Sequence, residues 1–277
     1  MRPFKLIDVF ATGPFTGNPL AVISDAEGLS ADEMLNITRW LNLSETTFLL
    51  PPTDEAADYR VRIFTPDREL PFAGHPTLGT ARVWLEDGGR PRAAGEIVQQ
   101  CGAGLVRVRR DGDRLAFAAP PLLRSGPVAE ADLADVLAVL QIGRDAVQAA
   151  QWVDNGPGWL GVRLASAGAV RALRPLGAYH KRMDIGVLGL ETGGETAMEV
   201  RAFFSDPSGA IREDPVCGSL NASAAQWLLG AGLLTAPYVA AQGTCLGRAG
   251  RVHVAQDDGQ IWVGGAVRVL FSGTASA

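Results

Sequence analysis

Glu45 lies in Leu43-Ser44-Glu45-Thr46-Thr47-Phe48, a carboxylate between the end of an expected helix and an apolar strand. Desolvation beside such a strand raises a carboxyl pKa, which suits a general base near neutral pH. The alternative is an ordinary loop glutamate. His75 follows Gly74 at the start of an expected helix. A helix N-terminus disfavours the imidazolium, so a neutral ring there can accept or pass a proton, or else simply cap its own helix in the core.

The richest segment is Glu213-Asp214-Pro215-Val216-Cys217-Gly218-Ser219. Two carboxylates precede a helix start, and the proline holds Asp214 extended. The N–H groups of Gly218 and Ser219 are helix-start donors, which makes them a ready anion site. Asp214 either orients a proton carrier or acts as an acidic cap. Cys217 is a thiol near a helix N-terminus, where its pKa falls, or a small buried hydrophobe. Asn18, in Thr16-Gly17-Asn18-Pro19, and Gln242, before Gly243, are polar groups flanked by apolar strands. Each either binds a polar atom of a substrate or stabilises a turn.

These residues belong to a pattern that occurs twice. Arg62-Ile63-Phe64-Thr65-Pro66 leads through a gap to Ala73-Gly74-His75-Pro76 and an apolar stretch ending at Trp84. Arg201-Ala202-Phe203-Phe204-Ser205 leads to Cys217-Gly218-Ser219 and a stretch ending at Trp227. From turn glycine to tryptophan the spacings are 10 and 9, and Phe48 to Phe64 and Val187 to Phe203 are both 16. The longer gap in the second copy, 14 positions from Phe204 to Gly218 against 10 from Phe64 to Gly74, reads as an insertion. A tandem duplication accounts for this, each half a set of strands curled around one uncharged helix.

The helix of the first half is expected from Pro76 to about Asp87, and that of the second from Gly218 to about Leu229. Ser30-Ala31-Asp32-Glu33 has the form of a capping box and opens a further helix to about Leu41. Strands are expected at 46–50, 59–64, 96–100, 104–110 and 114–118, and again at 159–164, 184–190, 197–204, 238–241, 251–256 and 260–269. A helix is expected over 130–140. Pro120-Pro121 marks the linker, giving a first lobe of 1–119, to which about 266–277 return, and a second of 120–265. Asp67–Leu70 and Ser205–Ile211 are expected as loops that shape a pocket.

The 277 residues are 47% hydrophobic and 20% charged, with a net charge of -5 and no basic cluster, so nucleic acid is not an expected partner. Three cysteines without metal spacing argue against a disulfide framework and fit a reducing cytoplasm. Pro215 to Gly247 carries no charge over 33 residues, but Ser, Asn, Gln, Gly and Pro dilute it. It reads as a helix buried on all sides rather than a membrane span. The N-terminus runs straight into a strand, with no signal-peptide core. Phosphate-loop, HExxH and CxxC motifs are missing, so no metal or nucleotide site is expected.

Taken together, Asp8-Val9-Phe10 with Gly17-Asn18-Pro19, Ser44-Glu45-Thr46-Thr47-Phe48, Phe64-Thr65-Pro66, Ala73-Gly74-His75-Pro76-Thr77-Leu78-Gly79, Glu213-Asp214-Pro215-Val216-x-Gly218-Ser219, and Gln242-Gly243 with Gly247-Arg248 resemble the PhzF-like (phenazine biosynthesis) family. The resemblance covers nearly the whole chain. It implies an α+β, diaminopimelate epimerase-like fold of two similar lobes, each a mixed β-barrel around a central helix, with the active site in the cleft. It also implies a cofactor-free isomerase, usually a homodimer, acting on a small carboxylate.

By motif match, Glu45 corresponds to the family's proton-shuttling acid/base, and Gly74 and His75 to its first-lobe site. Asp214, Gly218 and Ser219 correspond to its second-lobe site, whose amides hold a carboxylate. The chain departs from the pattern at Cys217, where a threonine is expected, and at Leu220-Asn221, where small residues or histidine are usual. Cys217 stands where diaminopimelate epimerases and proline racemases place one of two catalytic thiols, but the partner position is Ala73. A cofactor-independent isomerase is the leading expectation. An amino-acid or imino-acid racemase using Cys217, and a non-catalytic small-molecule binding protein, are the alternatives.

Overall fold

A computed structural model of the chain describes residues 1–276. The helices are α1 (Ala31–Leu41), α2 (Gly74–Glu86), α3 (Glu130–Leu140), α4 (Ala167–Ala172) and α5 (Gly218–Gly230). The chain divides into two compact units, one formed by Met1–Ala118 with the chain from Trp262 on, the other by Ala119–Ile261.

In the first unit the strands close into a ring. Arg2–Val9 pairs antiparallel with Asn18–Ile23, which runs parallel to Thr46–Leu50. Thr46–Leu50 is antiparallel to Tyr59–Phe64, which is parallel to Glu96–Cys101. Antiparallel steps then lead through Gly104–Asp111 and Arg114–Ala118 to Gln260–Ala275 and back to Arg2–Val9. Closure removes the exposed edges that an open sheet would present.

α2 fills this barrel, and nine of its residues from Gly74 to Val83 are buried. That is why the segment carries no charge before Arg82. Gly79 faces Leu20, Val9 and Ile7 so closely that a Cβ there would overlap Leu20. α1 packs on the opposite face of the same strands. Its Met34 joins Phe48 and Phe64, while the neighbouring Thr47 turns to Thr80 of α2 at 2.8 Å. The Ser30–Glu33 capping box forms reciprocally, as its spacing predicts.

The second unit repeats the sequence of pairings. Val147–Asp154 is antiparallel to Leu160–Leu164, which is parallel to Asp184–Leu190. That strand is antiparallel to Met198–Ser205, which is parallel to Tyr238–Gln242, and Gly250–Asp257 follows antiparallel. α5 is the buried helix here. Gly186 and Gly161 sit where a Cβ would strike Leu220 and crowd Trp227, so these strand glycines let the sheet close on the helix. α3 and α4 cover an apolar cluster that includes Val136, Leu140, Val162, Val170, Val187 and Phe203.

Two expectations change. Asp67–Leu70 and Ser205–Ile211 are not plain loops. Glu69–Leu70 and Ile211–Asp214 are short strands that fold back on the preceding strand, pairing Phe64 with Glu69 and Phe203 with Glu213. Each hairpin is locked by a two-pronged ion pair, Arg62 to Glu69 and Arg201 to Glu213. The strands Arg124–Pro127 and Val147–Asp154 also escape the pattern. Val-Gln-Ala-Ala-Gln has weak strand propensity, and pairing with Leu160–Leu164 overrides it. No helix among the described residues is long and apolar enough to cross a membrane.

Candidate active site

In the first unit, the chain enters α2 from an extended Ala73, which offers no side-chain cap. Gly74 and His75 are the first two helical residues. Pro76 follows, where its missing N–H costs nothing. The His75 ring is buried between two partners from different strand ends. Its Nε2 lies 3.4 Å from Glu45 Oε2, and its Nδ1 lies 3.4 Å from Asn18 Nδ2. Burial pushes the imidazole pKa down to about 3, so the ring is neutral at physiological pH. With the Asn18 amide facing Nδ1, the ring proton sits on Nε2 and points towards Glu45. At 3.4 Å this is ion-pair reach with loose geometry; an approach of a few tenths of an ångström makes it a hydrogen bond. The Glu45 side chain is 13% exposed, at the head of Thr46–Leu50.

Asn18 is itself held in place. Buried Asp8 accepts from the N–H groups of Thr16 at 3.0 Å and Gly17 at 2.8 Å, folding the loop that delivers Asn18 to the barrel end. Gly17 has no room for a Cβ against Val9 and Asp8. Sequence reasoning did not single out Asp8 as a site residue. A lone carboxylate within the apolar run Leu6-Ile7-Asp8-Val9-Phe10 is the signal that could have found it.

In the second unit, Ile211–Asp214 delivers Asp214 opposite Ala202, and Pro215-Val216 leads to Cys217, the N-cap of α5. The Cys217 sulfur accepts from the Leu220 N–H at 3.5 Å and lies 3.4 Å from Ser219 Oγ. Ser219 is fixed twice: Trp159 Nε1 donates to its hydroxyl at 3.0 Å, and Asn155 Nδ2 to its carbonyl at 2.9 Å. Both come from the Gly/Pro loop after Asp154, whose carboxylate takes the N–H groups of Gly156 and Gly158, both at 2.7 Å. No acid stands in the first turn of α2 or of α5, which keeps both helix starts electropositive.

Gln242, expected at the substrate, is fully buried and engaged by protein. Its Oε1 accepts from Cys217 N at 3.0 Å and from Asn221 Nδ2 at 2.8 Å, and its Nε2 donates to Asp214 O at 3.1 Å. It reaches the site through the turn it ties together. The structure thus gathers Glu45, His75, Gly74 and Asn18 at one helix start, and Asp214, Cys217, Gly218, Ser219 and Gln242 at the other. Asp8, Asn155, Trp159 and Asn221 support them without having been anticipated.

The family model for phenazine biosynthesis-like proteins matches residues 7–277. The chain belongs to the PhzF-like isomerase family. A Schizosaccharomyces pombe relative named antisense-enhancing sequence 1 is 37% identical over 98% of this chain and 97% of its own length. The trans-2,3-dihydro-3-hydroxyanthranilate isomerase of Pseudomonas aeruginosa is 33% identical, covering 79% of this chain and 77% of its own. Among solved structures, a Pseudomonas aeruginosa protein described as a predicted epimerase superposes over the full length of both chains with a TM-score of 0.80 at 28% identity. A probable proline racemase from Agrobacterium radiobacter shares the fold, with a TM-score of 0.63 over 100% of this chain and 93% of that one at 14% identity. The diaminopimelate epimerase-like α+β fold expected from the motifs is therefore the fold of this PhzF-family chain.

Proposed function

We propose that this PhzF-family isomerase moves a proton within a small carboxylate substrate by acid/base catalysis, using its own side chains and no cofactor. Glu45 as carboxylate removes a proton from a carbon α or vinylogous to an electron-withdrawing group. The electron pair left behind delocalises towards that group. The carboxylic acid then returns the proton at a second carbon, so the reaction is redox-neutral and one C–H bond replaces another. Neutral His75 holds its Nε2 proton towards Glu45 and steadies the carboxylate before the first transfer and after the second. The helix-start amides of Gly218 and Ser219 hold the substrate carboxylate, with Asp214 beside them. The compound named for the curated relatives, trans-2,3-dihydro-3-hydroxyanthranilate, is a carboxylate of this kind and the first to test.

The observation that carries this reading is the buried Asn18–His75–Glu45 line, with 3.4 Å on either side of a ring that burial keeps neutral. The test is incubation of trans-2,3-dihydro-3-hydroxyanthranilate and related carboxylates in D₂O with wild type and Glu45→Gln. Deuterium enters carbon with wild type and fails to with the variant. Equal incorporation by both removes Glu45 as the base. Tight binding with no exchange at any carbon would make the protein a non-catalytic binder.

The racemase reading rests on Cys217, whose sulfur sits at the start of α5. Its counterpart at the start of α2 is Ala73, so a second thiol is lacking there. A Cys217→Ser variant that loses all exchange while Glu45→Gln keeps it would restore that reading.

A further inference from the structure

At both buried helix starts, a side chain in the first turns reaches back to the N-cap carbonyl. Thr77 Oγ1 donates to Ala73 O, and Asn221 Nδ2 donates to Cys217 O, both at 2.9 Å. In both, a glutamine on the strand following the helix bonds that same side chain, Gln99 to Thr77 at 2.9 Å and Gln242 to Asn221 at 2.8 Å. The remaining bonds of the two glutamines then go to different places. Gln99 accepts from Tyr59 OH at 3.0 Å, deep in the barrel wall. Gln242 instead takes Cys217 N and gives to Asp214 O.

We propose that Gln242 and Asn221 are positioning residues for the reaction: together they clip the Asp214–Cys217 turn to the start of α5 and so aim the Gly218 and Ser219 amides at one carboxylate. This rests on the functional reading above for what is aimed at, but not for the clip itself. The geometry favours a positioning role over plain core packing for three reasons. Both side chains are fully buried, so their polar atoms need partners inside the protein. The partners they find are the backbone of the proposed site, and three of the four hydrogen bonds end on the two residues that flank Pro215-Val216. The N–H of Cys217 lies before the first helical residue, so α5 itself offers it no carbonyl; Gln242 does. Without that bond the turn amide is a buried donor seeking another acceptor, and the orientation of the following amides is no longer determined.

The first unit provides a matched control. Gln99 is equally buried, sits on the corresponding strand and bonds the matching helix side chain, as donor where Gln242 is acceptor, yet its bonds to Thr77 and Tyr59 end on none of the proposed site residues. The experiment compares Gln242→Met and Gln99→Met, both of which keep length and lose polarity, in ¹⁵N-labelled full-length protein. Two quantities are read: the exchange rate of the Cys217 amide relative to the Ala224 amide in the helix interior, and the benzoate concentration that half-shifts the Gly218 and Ser219 amide resonances. In Gln242→Met, Cys217 exchange speeds up and benzoate binding weakens, each by about tenfold, the loss expected of a buried hydrogen bond. In Gln99→Met both ratios stay within about twofold of wild type.

Gln242→Glu keeps the acceptor for Cys217 and Asn221 and loses the donor to Asp214. It retains Cys217 protection and still weakens benzoate, and it carries the test if the methionine variant does not fold. Unchanged Cys217 exchange in Gln242→Met, equal changes in both methionine variants, or wild-type benzoate affinity in Gln242→Glu would overturn the clip. If benzoate shifts no amide in wild type, the carboxylate reading fails and the exchange ratios alone decide the clip.

Discussion

The two hairpins that precede the buried helices are built on the same plan and set in different surroundings. Arg62 grips Glu69 with Nε and Nη2 at 2.8 and 2.6 Å and lies over the ring of Phe64. Arg201 grips Glu213 in the same way at 2.9 and 2.7 Å and lies over Phe203. The first pair is open to solvent, at 28% and 40% exposure; the second is nearly closed off, at 6% and 11%. Arg201 gains its cover from the end of α4, where its Nη1 donates to the carbonyls of Val170 and of Leu173, the residue that follows the helix. Duplication thus supplied one fastening twice, and the second unit drew it into the core, one residue before Asp214. The first unit put its constraint elsewhere, in Asp8 and the loop that places Asn18 against His75. One helix start is organised around a titratable pair; the other is organised around backbone donors.

If that division of labour is right, the largest effect comes from Glu45. Glu45→Gln lowers solvent-proton exchange into substrate by about 10²–10⁴-fold, whereas Cys217→Ser stays within about tenfold, measured by deuterium incorporation. Reversal of that order would move the proton chemistry to the second unit.

The ion pairs come next, read in chemical denaturation. Glu213→Gln leaves Arg201 uncompensated in a buried setting and costs about 3–5 kcal/mol. Glu69→Gln, at the exposed counterpart, costs about 0–1 kcal/mol. Equal losses would mean that burial does not separate the two fastenings.

A third effect depends on pH. The native His75 pKa is depressed to about 3 by burial, against about 6.5 in the unfolded chain. Below about pH 6.5 the unfolded chain therefore binds a proton that the native state refuses. The contribution of His75 is complete above that pH and is lost as pH falls towards about 3, by up to about 1.4 kcal/mol per pH unit. The difference in unfolding free energy between wild type and His75→Gln, measured from pH 7 to pH 4, reveals the slope. A flat difference would mean that the ring titrates normally. The corresponding position in the second unit, Ser219, contributes no such slope.

The smallest effect tests the helix–barrel fit. Gly79→Ala lowers stability by about 1–3 kcal/mol through overlap with Leu20, although alanine in an open helix gains up to about 1 kcal/mol over glycine. A stabilised variant would show that the first barrel is looser around α2 than the contacts indicate.

Much of this was legible from the order of residues. A stretch without charge up to Ala81 in α2 and throughout α5 announced the two helices, because the part of a helix enclosed by a sheet has no solvent face on which to carry charge. Matching spacings around Phe64 and Phe203 announced the duplication, and Gly74-His75 and Cys217-Gly218-Ser219 marked the two helix starts. Glu69–Leu70 and Ile211–Asp214 were hidden because a strand of two to four residues has too few positions for alternation to show. Val147–Asp154 was hidden because its residues do not favour the conformation that its neighbours impose.

Sequence by itself determined which residues can carry protons or bind an anion, and that two similar halves hold them, since composition and period are local properties. Tertiary structure decided their roles. Asn18 became the partner of the His75 ring, Asp8 the anchor of its loop, and Gln242 a tie within the turn before α5. Each of those roles depends on a hydrogen bond across 8 to 57 positions of chain. Such bonds are set by which strands pair and how they close on a helix, and no local pattern records them.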